Sequence, residues 1–267
     1  MINKHNLAAF IFVFLFTVLL LLPGDAKANT KEEILIAAAS DLQFAMVDII
    51  HSFEKKEPGA RVKIIFGSSG NFFHQILNGA PFDLYFSADS KYPKELEKRQ
   101  ISGEVTTYGF GRIVLMAPSS SDIRIQTLGI KFLFHPSVKK IAIANPAHAP
   151  YGMAAVAFMR GQNIYEKLKD KLVMGENISQ AAQFVESGAA EVGIIALSIA
   201  IKARELGYVS YWEIPAATHP SIEQGFTILQ KPKKQQLTKK FTDFVKSREG
   251  ESILMKYGFN VPAGSRQ

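Results

Sequence analysis

The chain of 267 residues contains no cysteine. Disulfide bonds, a catalytic thiolate, a thiolate-bound metal and a lipid-modified cysteine behind an export signal are therefore all excluded. The absence also suits an oxidising compartment, in which a free thiol is a liability.

Histidine is scarce and scattered, with six residues and no His-x-x-x-His pair or acidic cluster to suggest a metal site. The segment Gly67-Ser-Ser-Gly70 lacks the Gly-x-Ser-x-Gly spacing of a hydrolase nucleophile, and no histidine can be assigned as its base. We therefore expect a protein that is not an enzyme, and keep a hydrolase as the alternative that turnover of generic esters would reveal.

Long apolar runs are missing except for one of 16 residues, Leu7 to Leu22. A membrane-spanning helix needs about 20 residues, so an uncleaved anchor is the weaker interpretation. Lys4 precedes the run, Pro23-Gly24 ends it, and Ala26-Lys27-Ala28 has the small-x-small cleavage pattern. The sequence predicts a secretory signal over residues 1–28, cleaved after Ala28, and a mature periplasmic protein that does not span the membrane.

The formal net charge is +7, and basic runs such as Lys231-Pro-Lys-Lys234 lie near the C-terminus. Interleaved aromatic residues or a nucleic-acid-binding motif are absent, so we expect a solvated face rather than a nucleic-acid partner. A modest positive field can still attract a small anion.

Two segments share one pattern, an apolar strand followed by a serine-containing turn and an amphipathic helix. Ser40 and Asp41 follow the first strand, and Ser68 and Ser69 follow the second. The start of a helix has unpaired N–H groups and a partial positive charge, and serine adds a hydroxyl donor. Serine is also an ordinary helix cap, but two such units indicate a cleft at which helix starts converge on one anion.

Strand-like and helical patterns alternate along the chain, which predicts an α/β fold with parallel sheets. Strands are predicted at Ile34–Ala38, Arg61–Phe66, Asp83–Phe86, Gly111–Ala117, Lys140–Ala144, Leu172–Met174, Val192–Ala196, Val209–Trp212 and Gln224–Leu229. Helices are predicted at Asp41–Lys56, Asn71–Leu77, Tyr92–Gln100, Met153–Arg160, Ser179–Ser187, Leu197–Leu206 and Leu237–Arg248.

One crossing near residue 112 and one return near residue 218 favour two α/β lobes with a ligand cleft between them. We predict that residues 29–112 and 218–267 form the first lobe and that residues 113–217 form the second. In such sheets, ligands bind where strand ends meet helix starts.

These segments resemble the periplasmic molybdate-binding proteins of ABC importers, which have the type II periplasmic binding-protein fold. The resemblance covers about residues 31–260. Its motifs are Ala37-Ala-Ala-Ser40, Phe66-Gly-Ser-Ser69, Gln75-Ile76, Gly79-Ala-Pro-Phe-Asp83, Phe86-Ser-Ala-Asp89, Asn145-Pro-Ala-His-Ala-Pro-Tyr151-Gly152, Glu176-Asn-Ile178-Ser-Gln-Ala181, Gly188-Ala-Ala-Glu-Val-Gly193-Ile and Met255-Lys-Tyr-Gly-Phe259.

The resemblance implies that Ser40, Ser69, Tyr151 and the backbone of Ile178 hold the oxyanion, with Ser68 as a lesser candidate. Many family members have a tyrosine where this chain has Ala196, and some have one at the position of Tyr151. We therefore expect Tyr151 to supply the missing contact, through its hydroxyl or its backbone N–H. A structural role in lobe packing remains the alternative for Tyr151.

Asp41 is unusual beside a dianion because a carboxylate repels it. It can cap the following helix and face solvent. If it faces the cleft instead, it can accept a proton, which suits monoprotonated phosphate better than molybdate and makes Asp41 relevant to specificity.

The sequence as a whole predicts a monomeric, non-catalytic protein that captures molybdate, and also tungstate, and delivers it to an inner-membrane ABC permease without a cofactor. Another tetrahedral oxyanion such as sulfate or phosphate is the alternative ligand. The ligand-sensing half of a regulator is disfavoured by the export signal and by the lack of a DNA-binding region.

Overall fold

The computed structural model describes residues 31–121, 124–230 and 234–262. The predicted signal over residues 1–28 and its cleavage site lie outside the described residues, as do three residues of the basic run that begins at Lys231. Within the described residues, no helix combines the length and the hydropathy that crossing a bilayer requires.

Strands and helices alternate for most of the chain. The strands are β1 Glu32–Ala39, β2 Ala60–Gly67, β3 Leu84–Ser87, β4 Thr106–Gly111, β5 Ile113–Pro118, β6 Ile141–Ala144, β7 Leu172–Gly175, β8 Val192–Ala196, β9 Val209–Glu213 and β10 Ile222–Ile228. The α-helices are α1 Gln43–Lys56, α2 Ser69–Leu77, α3 Lys91–Lys98, α4 Ile125–Leu128, α5 Pro150–Gly161, α6 Tyr165–Leu168, α7 Ile178–Glu186, α8 Leu197–Glu205, α9 Gln235–Val245 and α10 Arg248–Lys256. Short 3₁₀ segments cover Ser40–Leu42, Gly129–Phe134, Lys169–Lys171 and Ala216–Thr218.

The strands form two five-stranded sheets, in the orders β2-β1-β3-β10-β4 and β7-β6-β8-β5-β9. The expectation of parallel sheets is correct only in part, because both sheets are mixed. Strand β1 is parallel to β2 and β3, and β6 is parallel to β7 and β8. Strand β10 is antiparallel to β3 and β4, and β5 is antiparallel to β8 and β9. A parallel connection needs a crossover of a dozen or more residues. Strands β5 and β10 are each reached directly from the other sheet, without a crossover helix. They therefore run antiparallel to their neighbours.

The chain passes from the first sheet to the second through Arg112 and returns between Glu213 and Ile222. We call the elements around the first sheet the first lobe and those around the second sheet the second lobe. From Glu32 onward the described residues form one compact unit, so the two lobes are packed against each other. The finer lobe boundaries at 29–112, 113–217 and 218–267 stay a prediction.

Each sheet has its own core. In the first lobe, Ile34 and Ile36 of β1 pack with Met46 and Phe53 of α1 and with Phe241 of α9, all almost completely buried. Helices cover both faces of β1, which accounts for its nearly continuous apolar sequence. The second core surrounds β5, β6 and β8, and it also includes residues from the ends of first-lobe strands, Ala39 and Ala88.

Candidate anion-binding site

The ends of strands β1 and β2 and the starts of helices α2, α5 and α7 meet around one small cavity. Its volume is about 10 Å³, the scale of a single water molecule. All six residues predicted from the sequence line it. The lining residues are Ala39, Ser40, Asp41, Gly67, Ser68, Ser69, Ala88, Ala149, Pro150, Tyr151, Asn177 and Ile178.

Ser69 is held with its hydroxyl proton available. It is buried at the first position of α2, where its Oγ accepts a 3.0 Å hydrogen bond from the N–H of Ala88. Its carbonyl accepts a 2.7 Å hydrogen bond from the hydroxyl of Tyr85. A hydroxyl whose oxygen already accepts one bond still has its own proton to donate, which is what an anion requires.

Ser40 joins the two lobes. Its Oγ accepts a 3.4 Å hydrogen bond from the N–H of Ser179 in α7, and its carbonyl accepts a 3.1 Å bond from the Ser179 hydroxyl. Neither contact uses the hydroxyl proton of Ser40, so this proton is available for donation, as it is in Ser69.

Ser68 has its hydroxyl proton engaged. The Oγ of Ser68 donates a 2.6 Å hydrogen bond to the carbonyl of His148 and lies 2.8 Å from Nδ1 of the same residue. Since the proton goes to the carbonyl, the ring nitrogen is placed to donate to Oγ rather than to act as its base. No histidine could be assigned to Ser68 from the sequence alone. The fold places His148 beside it, in an arrangement that does not activate the serine as a nucleophile.

Ile178 is the first residue of α7, and Asn177 caps that helix. The Oδ1 of Asn177 accepts hydrogen bonds from the N–H groups of Ser179 and Gln180, at 3.0 and 3.1 Å. The cap satisfies the second and third amides of the helix and leaves the first, that of Ile178, beside the cavity.

Tyr151 is the second residue of α5, directly after Pro150 at the first position. Its hydroxyl donates a 2.9 Å hydrogen bond to Oδ2 of Asp41 and accepts a 3.0 Å bond from Nε2 of Gln224. Burial raises the pKa of the Tyr151 hydroxyl well above its ordinary value, so it remains a donor at neutral pH. The hydroxyl proton is thus given to Asp41, whereas the backbone N–H lies in the unpaired first turn.

Asp41 is buried, with 1 % of its surface exposed. The alternative of a solvent-facing helix cap was therefore wrong. Its Oδ2 accepts from the Tyr151 hydroxyl and, at 2.8 Å, from Nε2 of Gln224, while its buried Oδ1 has no hydrogen-bond partner among the described residues. Burial raises the pKa of the Asp41 carboxyl to about 6; the hydrogen bonds from Gln224 and Tyr151 and the nearby backbone amides partly oppose this rise.

Gln224 and Tyr108 complete the network, and both were missed from the sequence. The Tyr108 hydroxyl donates a 2.6 Å hydrogen bond to Oε1 of Gln224, which orients the amide so that Nε2 faces Asp41 and Tyr151. Gly111 provides the room: a Cβ there would lie 2.2 Å from the Tyr151 hydroxyl oxygen and 2.6 Å from Nε2 of Gln224. The sequence signal for Gln224 was weak, because β10 also contains the polar residues Glu223 and Thr227.

Ala196 is completely buried in β8 and is absent from the cavity lining. Its neighbour Ser198 contacts the site indirectly, because its hydroxyl donates a 2.8 Å hydrogen bond to the carbonyl of Asp41. The part of the chain that the structure describes contains no cluster of three histidine, aspartate or glutamate side chains suited to a metal ion. The site is thus built from hydroxyl and amide donors, which suit an anion, together with a single acidic residue, Asp41, which in its ionised form repels one.

Comparison with known proteins agrees with this geometry. The model of the bacterial extracellular solute-binding proteins matches residues 34–260. A molybdate-binding protein of Azotobacter vinelandii is 36% identical over 238 residues, covering 88% of this chain and 93% of the relative. One from Rhodobacter capsulatus is 35% identical over 245 residues, 91% of this chain and 94% of the relative. The solved structure of an Azotobacter vinelandii periplasmic molybdate-binding protein superposes with a TM-score of 0.78 at 27% identity, covering 86% of this chain and 99% of the other.

Proposed function

Because the chain belongs to the bacterial extracellular solute-binding protein family, we propose that it captures molybdate outside the cytoplasmic membrane and delivers it to an ABC importer. The observation that carries the proposal is the convergence of two serine hydroxyls and three helix starts on one small cavity between the lobes. The similarity to molybdate-binding proteins along most of the chain supports the same ligand.

In this proposal the direct ligands are the hydroxyls of Ser40 and Ser69 and the backbone amides of Tyr151 and Ile178. Each is a donor on the cavity wall, and together they come from both lobes. A buried anion satisfied by four donors and by helix starts needs no counter-cation. Ser68 contributes less, because its proton is already donated to the carbonyl of His148.

Tungstate is the second proposed ligand, since it shares the tetrahedral shape and charge of molybdate. Selectivity against the smaller sulfate ion comes from the spacing of the donors. The cavity between the packed lobes is on the scale of one water molecule, so the anion enters while the lobes are apart and they then close around it.

The proposed mode of action is non-catalytic. Neither Ser68 nor any cluster of acidic residues that the structure describes is arranged for covalent or metal-assisted chemistry. We further propose that the protein is exported by the signal over residues 1–28, cleaved after Ala28, works as a periplasmic monomer without a cofactor, and docks on an inner-membrane permease.

The test is titration calorimetry of the refolded protein against molybdate, tungstate, sulfate and phosphate, together with thermal melting in each anion. Molybdate and tungstate should bind and raise the melting temperature, because a ligand present at about 100 times its Kd stabilises the folded state by about 2.7 kcal/mol. Binding of sulfate or phosphate in preference to molybdate would assign the alternative ligand class.

A further inference from the structure

Asp41 is the one acidic residue among those that line the cavity of the proposed anion. An ionised carboxylate at this position would present lone pairs to an oxyanion, and the two negative charges would repel. The two described side chains that hydrogen-bond to the Asp41 carboxyl are those of Tyr151 and Gln224, and both are neutral, so neither compensates its charge.

The two oxygens of Asp41 have unequal environments. Oδ2 accepts hydrogen bonds from the Tyr151 hydroxyl at 2.9 Å and from Nε2 of Gln224 at 2.8 Å. Oδ1 is buried and has no hydrogen-bond partner among the described residues. A carboxylic acid whose one oxygen accepts two hydrogen bonds carries its proton on the other oxygen, so the protonated acid donates from Oδ1.

We propose, on the basis of the molybdate-binding function above, that Asp41 is protonated in the anion complex and donates from Oδ1 to an oxygen of the bound dianion, so that capture takes up one proton. The site then contains donors only, and its affinity for a fully ionised oxyanion decreases as the solution becomes more alkaline. Asp41 is thereby the residue that links anion capture to pH.

The side chains packed around Asp41 are neutral, and burial outweighs the hydrogen bonds from Gln224, Tyr151 and the nearby backbone amides, which lower the pKa of the carboxyl. Strand β10 presents Gln224, helix α5 presents Tyr151, and strand β4 presents Tyr108 through Gln224. Helix α8 contributes the hydroxyl of Ser198, which donates to the backbone carbonyl of Asp41. Burial raises the pKa of the carboxyl to about 6 before any anion is present, and a neighbouring dianion raises it further.

His148 is a second titratable side chain close to the cavity, and its effect must be distinguished from that of Asp41. Its ring contacts Ser68, which lines the cavity, and lies 3.7 Å from the carboxylate of Glu176. A protonated histidine would also favour anion binding at low pH, so the experiment needs a variant at each position.

The first measurement is calorimetry of the purified protein with molybdate at several pH values, each in two buffers with different ionisation enthalpies. We expect the buffer dependence to report the uptake of close to one proton per anion at pH 8. With a carboxyl pKa of about 6, the affinity should fall by about 20-fold between about pH 6.5 and about pH 8.

The Asp41→Asn variant distinguishes proton donation by Asp41 to the anion from a purely structural role of this residue. An asparagine presents a neutral oxygen to Tyr151 and Gln224 and an N–H donor to the cavity, so it copies the protonated acid. We expect it to bind molybdate without proton uptake and nearly independently of pH, and at least as tightly as the unmodified protein at pH 8. Asp83→Asn is the matched control, since Asp83 is a buried first-lobe carboxylate that accepts from the N–H of Leu35, away from the cavity.

The His148→Gln variant should keep the pH slope and the proton uptake of the unmodified protein. If the slope disappears in His148→Gln and persists in Asp41→Asn, the proposal is overturned in favour of the histidine. Molybdate binding by the unmodified protein without proton uptake overturns it as well, even if the asparagine variant fails to fold. Absence of binding to any oxyanion at every pH would instead refute the proposed function.

Discussion

The hydroxyl of Tyr151, at the start of a second-lobe helix, donates a 2.9 Å hydrogen bond to the carboxylate of Asp41, 110 residues earlier in the first lobe. The bond is buried, and Gln224 donates to both of its partners. It therefore connects the two walls of the cavity without using the donors proposed for the anion, namely the hydroxyls of Ser40 and Ser69.

The two adjacent serines of the second strand–helix unit should differ in their effect on affinity. Ser69→Ala removes a hydroxyl whose proton is available, and loss of a donor to a charged acceptor costs about 1.5–3 kcal/mol, or about 10- to 150-fold in Kd. Ser40→Ala should weaken binding by a similar amount.

Ser68→Ala is the matched control and should weaken binding much less, because the Ser68 proton goes to the carbonyl of His148. Calorimetry with molybdate measures all three, and unchanged affinity in both Ser40→Ala and Ser69→Ala would place the anion elsewhere.

Removal of the Tyr151 hydroxyl should shift the pH dependence of binding rather than abolish binding. Its hydrogen bond lowers the pKa of the Asp41 carboxyl, so Tyr151→Phe should raise that pKa and move the alkaline decline in affinity to higher pH. The backbone N–H of residue 151 remains available to the anion in this variant.

Tyr108→Phe is the control for this prediction, because the Tyr108 hydroxyl contacts Gln224 and makes no hydrogen bond to Asp41. It should shift the pH profile less than Tyr151→Phe does. A loss of about 10-fold or more in Kd at every pH, with no shift of the profile, would show that the Tyr151 hydroxyl binds the anion directly.

The stability of the anion-free protein should depend on Asp41 in a defined pH window. The pKa of this carboxyl is raised from 3.8 to about 6 on folding, so its contribution is fully present below 3.8 and is lost as the pH rises through about 6. The loss is about 3 kcal/mol in the free energy of unfolding.

Asparagine at position 41 does not titrate, so the variant should gain stability relative to the unmodified protein between about pH 4 and about pH 7. Urea unfolding of both proteins at both ends of this range measures the sign of the difference in their free energies of unfolding. Parallel pH dependence of the two proteins would contradict the raised pKa, and Asp83→Asn again controls for the loss of a buried carboxylate.

Molybdate should make the protein more compact in solution. The lobes already touch through the N–H of Gly70, which donates a 2.9 Å hydrogen bond to the carbonyl of His148, and through Ser40 and Ser179. An anion that receives donors from both lobes adds to these contacts and favours the closed arrangement. Small-angle scattering with and without molybdate should give a smaller radius of gyration in its presence, with sulfate as the control anion. Identical profiles would argue against a hinge.

Much of this structure is predictable from local sequence. Strand β8 lies where its apolar run predicts, and the serines after β1 and β2 reach the cavity because strand ends and helix starts meet there. Strand β4 was missed because Thr106–Gly111 has two glycines and a weak alternation. The helix predicted over Leu237–Arg248 corresponds to α9, which ends at Val245, and the next helix, α10, was missed. Ser247 caps α10 by accepting from the N–H of Gly250, and a serine followed by acidic residues is a readable helix start signal.

The polar network could not be predicted in the same way. Tyr108, Gln224 and Asp41 come from three separate parts of the chain, and only the antiparallel placement of β10 beside β4 brings the first two together. Local patterns specify which face of a strand is buried, but they do not specify which distant polar side chain shares that face. The burial of Asp41 follows from the packing of both lobes, so the solvent-facing alternative was equally consistent with its sequence neighbours.

Gly111 lies beside the hydrogen bonds that join Asp41, Tyr151 and Gln224, at the point where the chain leaves the first sheet. It is the last residue of β4, directly before Arg112, and even a methyl group there would overlap the Tyr151 hydroxyl and the Gln224 amide. Gly111 and Gln224 lie on neighbouring strands of the first sheet, whereas Tyr151 belongs to the second lobe. A rotation of the lobes about this crossing would carry the Tyr151 hydroxyl away from Asp41 and admit water to the carboxyl. Because burial is what raises the pKa of Asp41, we expect the opening of the cleft and the release of its proton to occur together.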